Sequence, residues 1–396
     1  MEVPDRSGVC SLGSDEKIKV CHIISGDLWA GAEVQVYTLL KTLSENRAIQ
    51  LTAIVLNEGK LAEKLKQAGI EMVIIDESKF RFFTILRKAR EYLADKKVDI
   101  VHSHRRKENV LAGLLKRSGH AWVAVQTIHG AWEPFYGIKW FKEKVYTVLD
   151  RYFTNRYFDH IFPVSNDLKT LIGESLTKGR LTTIHNAIDL STVMPSKSAV
   201  ETRRMLGLAE NQQVIGSAGR MVPVKGYDVF LRAARAILEK KPEAVFLLAG
   251  DGPLLGQLKR LAKELGIEDK VHFLGFRDDA KDIINCMDIF VVSSHHEGIP
   301  TVALEAMALG KAIVATGVGG IIEMLEPDVS GVLVRPGDAG AMAAACDRLL
   351  GNVNLREKIG SAARTKAEND FSAVNQAQRT QDIYRRLVGR AENVTS

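Results

Sequence analysis

Short apolar runs recur along the chain, each closed by Gly, Ser or a charged residue and followed by a stretch with helical spacing. IKVCHII, ending before Ser25 and Gly26, is the first; LTAIVL, EMVII, VDIVHS, AWVAVQTI and HIFPVS follow, and a helix is predicted over 33–46. Unbroken apolar runs of this length read as strands buried on both faces, and their alternation with helices predicts a parallel sheet covered on both sides. The pattern weakens over 190–212, where Pro195 and its Ser and Lys neighbours predict a linker. It restarts with VIGSAG, AVFLLAG, KVHFLGF, MDIFVVSS, KAIVAT and GVLVRP, with helices predicted over 227–239, 253–265, 300–309 and 339–350. The reading is two doubly wound α/β domains in tandem. Residues 1–16 are expected to be a disordered tail, 17–195 the first domain and 196–373 the second. The final helix, within 374–396, has spare length to pack back onto the first domain.

Composition narrows the class. With 396 residues, 46% hydrophobic and 26% charged, the chain can bury large cores without disulfide or metal staples. Cys10, Cys21, Cys286 and Cys346 show no CxxC-like spacing, so no zinc or redox motif is present, and buried thiols in a reducing cytosol are expected. No apolar run reaches the roughly 18 residues of a membrane-spanning helix, and MEVPDRSGVC lacks the apolar core of a signal peptide. The net charge of +6 is mild, and most of the excess precedes Ser196. Arg105-Arg106-Lys107 comes with no nucleic-acid recognition motif, so no nucleic-acid partner is expected.

Two tandem sheets leave a cleft, and ligands bind at the carboxyl ends of parallel strands. Five features there are candidates for chemistry. In SSHHEGIPTVALEAMALGKAIVATGVGG, Glu297 precedes a helix and Glu305 lies within it among small apolar residues. A carboxylate so placed needs a partner, and a pair of ligand hydroxyls would serve. The backbone from Gly298 through Ile299, Pro300, Thr301 and Val302 leads into a helix N-terminus, which suits phosphate. In GSAGRMVPVKG, Arg220 and Lys225 could clamp a diphosphate. In SGDLWAGAEVQ, Gly31 allows backbone to approach an anion. His129 follows a strand and points toward the cleft. His102 and His104 form an HxH pair for which no third metal ligand has convincing spacing, so no metal is expected. Each feature taken singly also fits ordinary loop carboxylates, surface cations, turn glycines and satisfied core histidines. GDGPLLG, from Gly250, resembles a dinucleotide loop but lacks the acidic residue about 20 positions on.

Together, AGAE, PVSNDLK, IHNAID, GRMVPVKGYDVFLRAA, LLAGDGPL, FLGF and EGIPTVALEAMALGKAIVATGVGG resemble the family 4 retaining glycosyltransferases (glycosyltransferase group 1), from about residue 17 to 390. The spacing of Glu297 and Glu305, after Arg220 and Lys225, is the most specific part of the likeness. Three positions depart from the family's usual pattern, at Ala30-Gly31, Asn186-Ala187 and Ile321-Ile322-Glu323, and none removes a charged contact. The resemblance implies the GT-B fold, with the acceptor bound by the first domain and a UDP- or GDP-sugar donor by the second. It implies that Arg220 and Lys225 hold the diphosphate, Glu305 the ribose hydroxyls and Glu297 the sugar hydroxyls. Backbone amides of Gly298 to Val302 would bind sugar or phosphate, Gly31 would lie against phosphate, and His129 would sit near the transferred sugar. It implies no cofactor, no metal and no covalent nucleophile, and an acceptor that is a glycan or a lipid-linked sugar of bacterial cell-surface synthesis.

Other classes remain in view: a sugar-nucleotide 2-epimerase of the same fold, an NAD-dependent oxidoreductase resting on Gly250-Asp251-Gly252, and a non-catalytic binding protein. A cytoplasmic protein is expected, peripheral at the inner membrane face. Residues 137–160 interleave Lys139, Lys142, Lys144, Arg151 and Arg156 with Trp140, Phe141, Tyr152 and Phe153, a pattern that suits an anionic membrane surface as well as an ordinary solvated helix.

Overall fold

The computed structural model describes residues 17–26, 29–118, 121–130, 138–173 and 179–395, and it describes no side chains over 138–144 and 390–395. The expected disordered tail, 1–16, lies outside the described residues. The first half forms strands β1 (Ile18–Ile24), β2 (Ile49–Val55), β3 (Glu71–Ile74), β4 (Ile100–Ser103), β5 (Val123–Ile128) and β6 (His160–Pro163). Helices α1 (Gly31–Ser44), α2 (Lys60–Gln67), α3 (Phe82–Lys96), α4 (Arg106–Arg117), α5 (Ile138–Tyr157) and α6 (Asn166–Ile172) join or follow them. All strand pairs are parallel, in the order β3-β2-β1-β4-β5-β6.

The second half opens with α7 (Ala199–Met205). It continues as β7 (Val214–Ala218), α8 (Tyr227–Leu238), β8 (Val245–Ala249), α9 (Leu255–Glu264), β9 (Val271–Gly275), α10 (Ala280–Asn285) and β10 (Ile289–Val292). There follow α11 (Thr301–Ala308), β11 (Ala312–Thr316), α12 (Ile321–Met324), β12 (Val332–Val334), α13 (Ala339–Leu350), α14 (Val353–Asp370) and α15 (Ala373–Thr395). The sheet order is β12-β11-β10-β7-β8-β9, again parallel, so the second sheet repeats the winding of the first. Strands such as β7, β8, β10 and β11 are buried at every position, which is why they read as continuous apolar runs. Each sheet reverses its winding once, between β1 and β4 and between β7 and β10, and a crevice opens at that point.

The expected linker over 190–212 contains α7. Its start is a capping box: the Ser198 hydroxyl accepts from Glu201 N at 3.2 Å, and Glu201 accepts from Ser198 N at 2.8 Å. The chain crosses between the halves at two places that run side by side, with Ile188 N donating to Phe371 O at 2.8 Å and Ala373 N to Ile188 O at 3.0 Å. After the second crossing α15 lies against the first half. Its Tyr384 is fully buried in the core that contains Ile24, Leu40 and Phe162. No helix among the described residues is long and apolar enough to cross a membrane.

Candidate donor site between the two sheets

The loops after β1 and β5 meet the loop after β10, to which the loop after β7 is tied. From the second half, Lys225 Nζ reaches Glu297 Oε1 at 2.6 Å, and the Ser294 hydroxyl donates to the same oxygen at 2.6 Å. The Ser293 hydroxyl donates to Lys225 O at 2.9 Å, and His295 N to Val224 O at 2.8 Å, so the Lys225 loop is tied to the Glu297 loop. Gly226 permits that approach: at φ 59, a Cβ there would stand 2.2 Å from Ser293 O. Arg220 is exposed in the same loop and forms no ion pair among the described residues. Ser294 was not among the expected residues, although SSHHEG places it two positions beyond the strand.

The Glu297–Pro300 loop is held from behind by Gly319 and Gly320. Gly320 N donates to Glu297 O at 3.0 Å. A Cβ on Gly319 would meet Glu297 O at 2.0 Å, and one on Gly320 would meet Gly298 O at 2.0 Å. Only glycine lets the two backbones touch this closely. Pro300 then opens α11 with no side-chain cap, so the first N–H groups, at Thr301 and Val302, are left for another partner. Within α11, Glu305 is partly buried and its carboxyl makes no hydrogen bond among the described residues. Burial pushes its carboxyl up to about 7, against a smaller opposing pull from Lys281.

From the first half, the N-terminus of α1 meets that of α11. A Cβ on Gly31 would be 3.6 Å from Thr301 Oγ1. Gln35, one turn on, donates to Thr301 Oγ1 at 3.1 Å. Its carboxamide also grips the crossing strand at Ala187, accepting from the N–H at 2.8 Å and donating to the carbonyl at 2.9 Å. Asn186 Nδ2 donates to Ile299 O at 2.7 Å. His129 adjoins Gly298, where a Cβ would stand 3.1 Å from His129 O. Two helix N-termini thus converge from opposite halves beside Lys225, an arrangement that favours an anion.

Glu323 of α12 spans the same interface. It accepts from Asn166 N at 2.8 Å, Asn166 Nδ2 at 2.7 Å and Asp167 N at 3.2 Å, and lies 2.8 Å from His185 Nε2. Gln35 is an interface residue that sequence reading did not single out, and Asn186 and Glu323 were noted only within segments that depart from the family pattern, with no role given to them.

Two expectations need correction. His102 and His104 do have a third histidine beside them: His22, on the neighbouring strand β1, brings three buried imidazoles together with ligand atoms within 4.8 Å. Spacing along the chain cannot show this, because His22 and His102 are paired by strand register. All but one of their nitrogens are engaged among the described residues: His22 Nδ1 with His104 Nε2 at 2.9 Å, His104 Nδ1 with His129 Nε2 at 3.3 Å, and His102 with Tyr384 Oη at 2.5 Å and Thr127 Oγ1 at 2.8 Å, while His22 Nε2 is buried without a partner there. The second correction concerns α5, where Phe153 is buried rather than exposed and packs on Gly113 of α4. Lys139, Trp140, Phe141, Lys142 and Lys144 have side chains outside the described residues, whereas Arg151, Tyr152 and Arg156 are exposed. The basic run after β4 is spent on carboxylates and a hydroxyl. Arg105 pairs with buried Glu33, Lys107 with Glu77, and Arg106 Nη1 donates to Thr147 at 3.1 Å.

The glycines of GDGPLLG have a packing role. A Cβ on Gly250 would stand 2.0 Å from Gly219 O, and one on Gly252 2.6 Å from Met221 O. They let this loop lie against the Arg220 loop.

The sequence matches two glycosyltransferase family descriptions, Glycosyltransferase Family 4 over residues 29–192 and Glycosyl transferases group 1 over residues 199–366. The chain belongs to this family of glycosyltransferases, and its paired parallel sheets are the GT-B fold. It is 25% identical over 390 residues to an Escherichia coli UDP-Gal:alpha-D-GlcNAc-diphosphoundecaprenol alpha-1,3-galactosyltransferase, covering 93% of this chain and 97% of that protein. It is 34% identical over 206 residues to a D-inositol 3-phosphate glycosyltransferase of Salinispora arenicola, covering 48% of this chain and 46% of the relative. An uncharacterized glycosyltransferase of Methanocaldococcus jannaschii is likewise 34% identical over 188 residues, 47% of this chain and 48% of its own length. The chain thus spans about half the length of the last two relatives. The Anabaena HepE structure in complex with UDP-glucose superposes with a TM-score of 0.81 at 21% identity, covering 92% of this chain and 99% of that one, a likeness of fold.

Proposed function

We propose that the cleft binds a nucleoside-diphosphate sugar, UDP- or GDP-linked, and transfers the sugar with retention to a glycan or lipid-linked acceptor held by the first half. The observation that carries this is the meeting of the α1 and α11 N-termini, at Gly31 and Thr301, next to the Lys225–Glu297 pair. A diphosphate leaving group gains charge as the glycosidic bond breaks. Lys225, Arg220 and the open N–H groups of α11 are fixed positive features available at that place, and preorganised charge stabilises such a transition state. With the diphosphate bound, Lys225 turns from Glu297 to phosphate, which frees Glu297 to accept from sugar hydroxyls. Glu305, whose carboxyl has no hydrogen-bond partner among the described residues, accepts from the ribose hydroxyls. His129 borders the sugar through its place against Gly298. No enzyme nucleophile or metal ion is assigned: the leaving phosphate takes the proton of the incoming hydroxyl on the same face.

The galactosyltransferase relative, which acts on a diphosphoundecaprenol-linked sugar, supports a lipid-linked acceptor and a role in bacterial surface glycan synthesis. The exposed face of α5 fits docking to a membrane that carries such an acceptor. Val145, Val148, Leu149 and Tyr152 stand out from it beside Arg151 and Arg156. A thermal-shift screen of UDP-, GDP- and ADP-sugars tests the donor class, because a ligand that binds only the folded state raises its melting temperature. A 2-epimerase would release no acceptor-dependent product, and incubation of a labelled UDP-sugar with and without acceptor extract separates the two reactions.

A further inference from the structure

Two buried atoms face each other across the halves without a bond between them. Asp167 stands in the first turn of α6, and His296 directly precedes Glu297 in the loop after β10. Asp167 Oδ2 and His296 Nε2 are each buried with no hydrogen-bond partner among the described residues, and they lie 3.9 Å apart. That separation exceeds an N–H···O hydrogen bond by about 1 Å. It falls short of the roughly 4.5 Å that a bridging water spans with two good bonds, and neither atom is open to solvent. Left so, each is a polar group removed from water with nothing in exchange. One is a carboxylate oxygen, which accepts, and the other is a ring nitrogen, which donates when it carries the proton. Each is the partner the other lacks, and a proton on His296 Nε2 is what the facing carboxylate requires.

The backbones around the pair are already fixed, so a small side-chain adjustment is enough to close it. Asn166 N and Asp167 N donate to Glu323 Oε1 of the second half at 2.8 and 3.2 Å, which fastens the start of α6 beside the loop. Two residues past His296, a Cβ on Gly298 would stand 3.1 Å from Val164 Cγ2 and 3.6 Å from Leu168 Cδ1, so the loop rests on the segment that carries Asp167. Glu297 itself is held from the second half. Lys225 and Ser294 grip its carboxylate, and Gly320 N its carbonyl. Once Lys225 turns to phosphate, the carboxylate keeps the Ser294 hydroxyl of these two. A bond from the first half to the adjoining residue then decides where that carboxylate stands.

We propose that Asp167 is a positioning residue for sugar transfer: its carboxylate accepts from His296 Nε2–H across the cleft and, through His296, holds Glu297 against the sugar. The first half thereby sets the place of a donor-site side chain that belongs to the second. This role in transfer rests on the reading of Glu297 as a donor-site residue, whereas the bond does not, so the two fail separately.

The test joins kinetics to a spectrum. Asp167→Ala and His296→Ala should each lower kcat by about tenfold or more, while the dissociation constant of UDP or GDP, whichever binds, stays the same. The double variant should be no slower than the slower single one, because the two side chains act as one. His296→Gln, whose amide nitrogen can donate from about the place of Nε2, should recover most of the loss. A long-range 1H–15N spectrum of the full chain, labelled with 15N-histidine, should show a proton on His296 Nε2, with a signal that moves in Asp167→Ala. Unchanged kcat in Asp167→Ala, or losses that multiply in the double variant, overturns the role of Asp167. A His296 protonated on Nδ1 alone overturns the bond, even if no variant folds. Absence of transfer by the unsubstituted protein from any nucleotide sugar overturns the donor reading and this role together, and the spectrum still decides the bond.

Discussion

Lys225 Nζ lies 2.6 Å from Glu297 Oε1, and the Ser294 hydroxyl holds the same oxygen from the other side. The cation proposed for phosphate is thus already in place, held by the carboxylate proposed for sugar. Lys225→Ala should lower turnover by about 10²-fold or more, the scale on which removal of one transition-state donor acts. Its melting temperature should stay within a few degrees, because partly exposed ion pairs contribute little to stability. Steady-state kinetics beside a thermal melt checks both, and near-wild-type turnover would contradict the site.

Glu305 gives a pH signature. Its carboxyl lies near 7 in the folded protein against an ordinary 4.5. Between these values the unfolded chain releases a proton that the folded chain retains, so stability falls as pH rises from about 4.5 to about 7. Glu305→Gln should match the unsubstituted protein near pH 4 and exceed it at pH 8, by at most about 3 kcal/mol. Denaturant melts at the two pH values measure this. Donor affinity should rise through pH 7 in the unsubstituted protein, as the carboxylate that accepts ribose hydroxyls forms.

Gly320 is the back support of the donor loop. Gly320→Ala places a methyl where Gly298 O now lies 2.0 Å away, so the Glu297 loop must shift. The expected result is about 1–3 kcal/mol of destabilisation and a larger loss of donor binding than of fold, read by melting temperature against nucleotide titration.

Glu323 fastens the second half to the N-terminus of α6 and to His185. Glu323→Ala should loosen closure. Small-angle scattering without ligand should give a larger radius of gyration than the unsubstituted protein, and the donor KM should rise. Identical scattering would show that closure does not depend on this carboxylate.

The two sheets were legible because buried parallel strands leave continuous apolar runs, and Lys225, Glu297 and Gly31 were legible because strand-end loops with charge or glycine stand out against them. Partnerships across the cleft were not. Gln35 and Ala187 are 152 positions apart, and no local pattern pairs them. His22 joined the histidines through strand register, and Phe153 turned inward because Gly113 leaves it room. α7 did carry a local sign, since Ser198 and Glu201 form a capping box, but the neighbouring Pro195 dominated the reading. The final helix spans Ala373–Thr395.

The most direct test of the central claim is isothermal titration of UDP and of GDP into the unsubstituted protein and into Lys225→Ala. One of the two nucleotides should bind the unsubstituted protein. The loss of one charge-assisted contact should weaken it by about tenfold or more in Lys225→Ala. Binding of neither nucleotide, or equal affinity in both proteins, would contradict the assignment of this cleft to a nucleoside-diphosphate sugar.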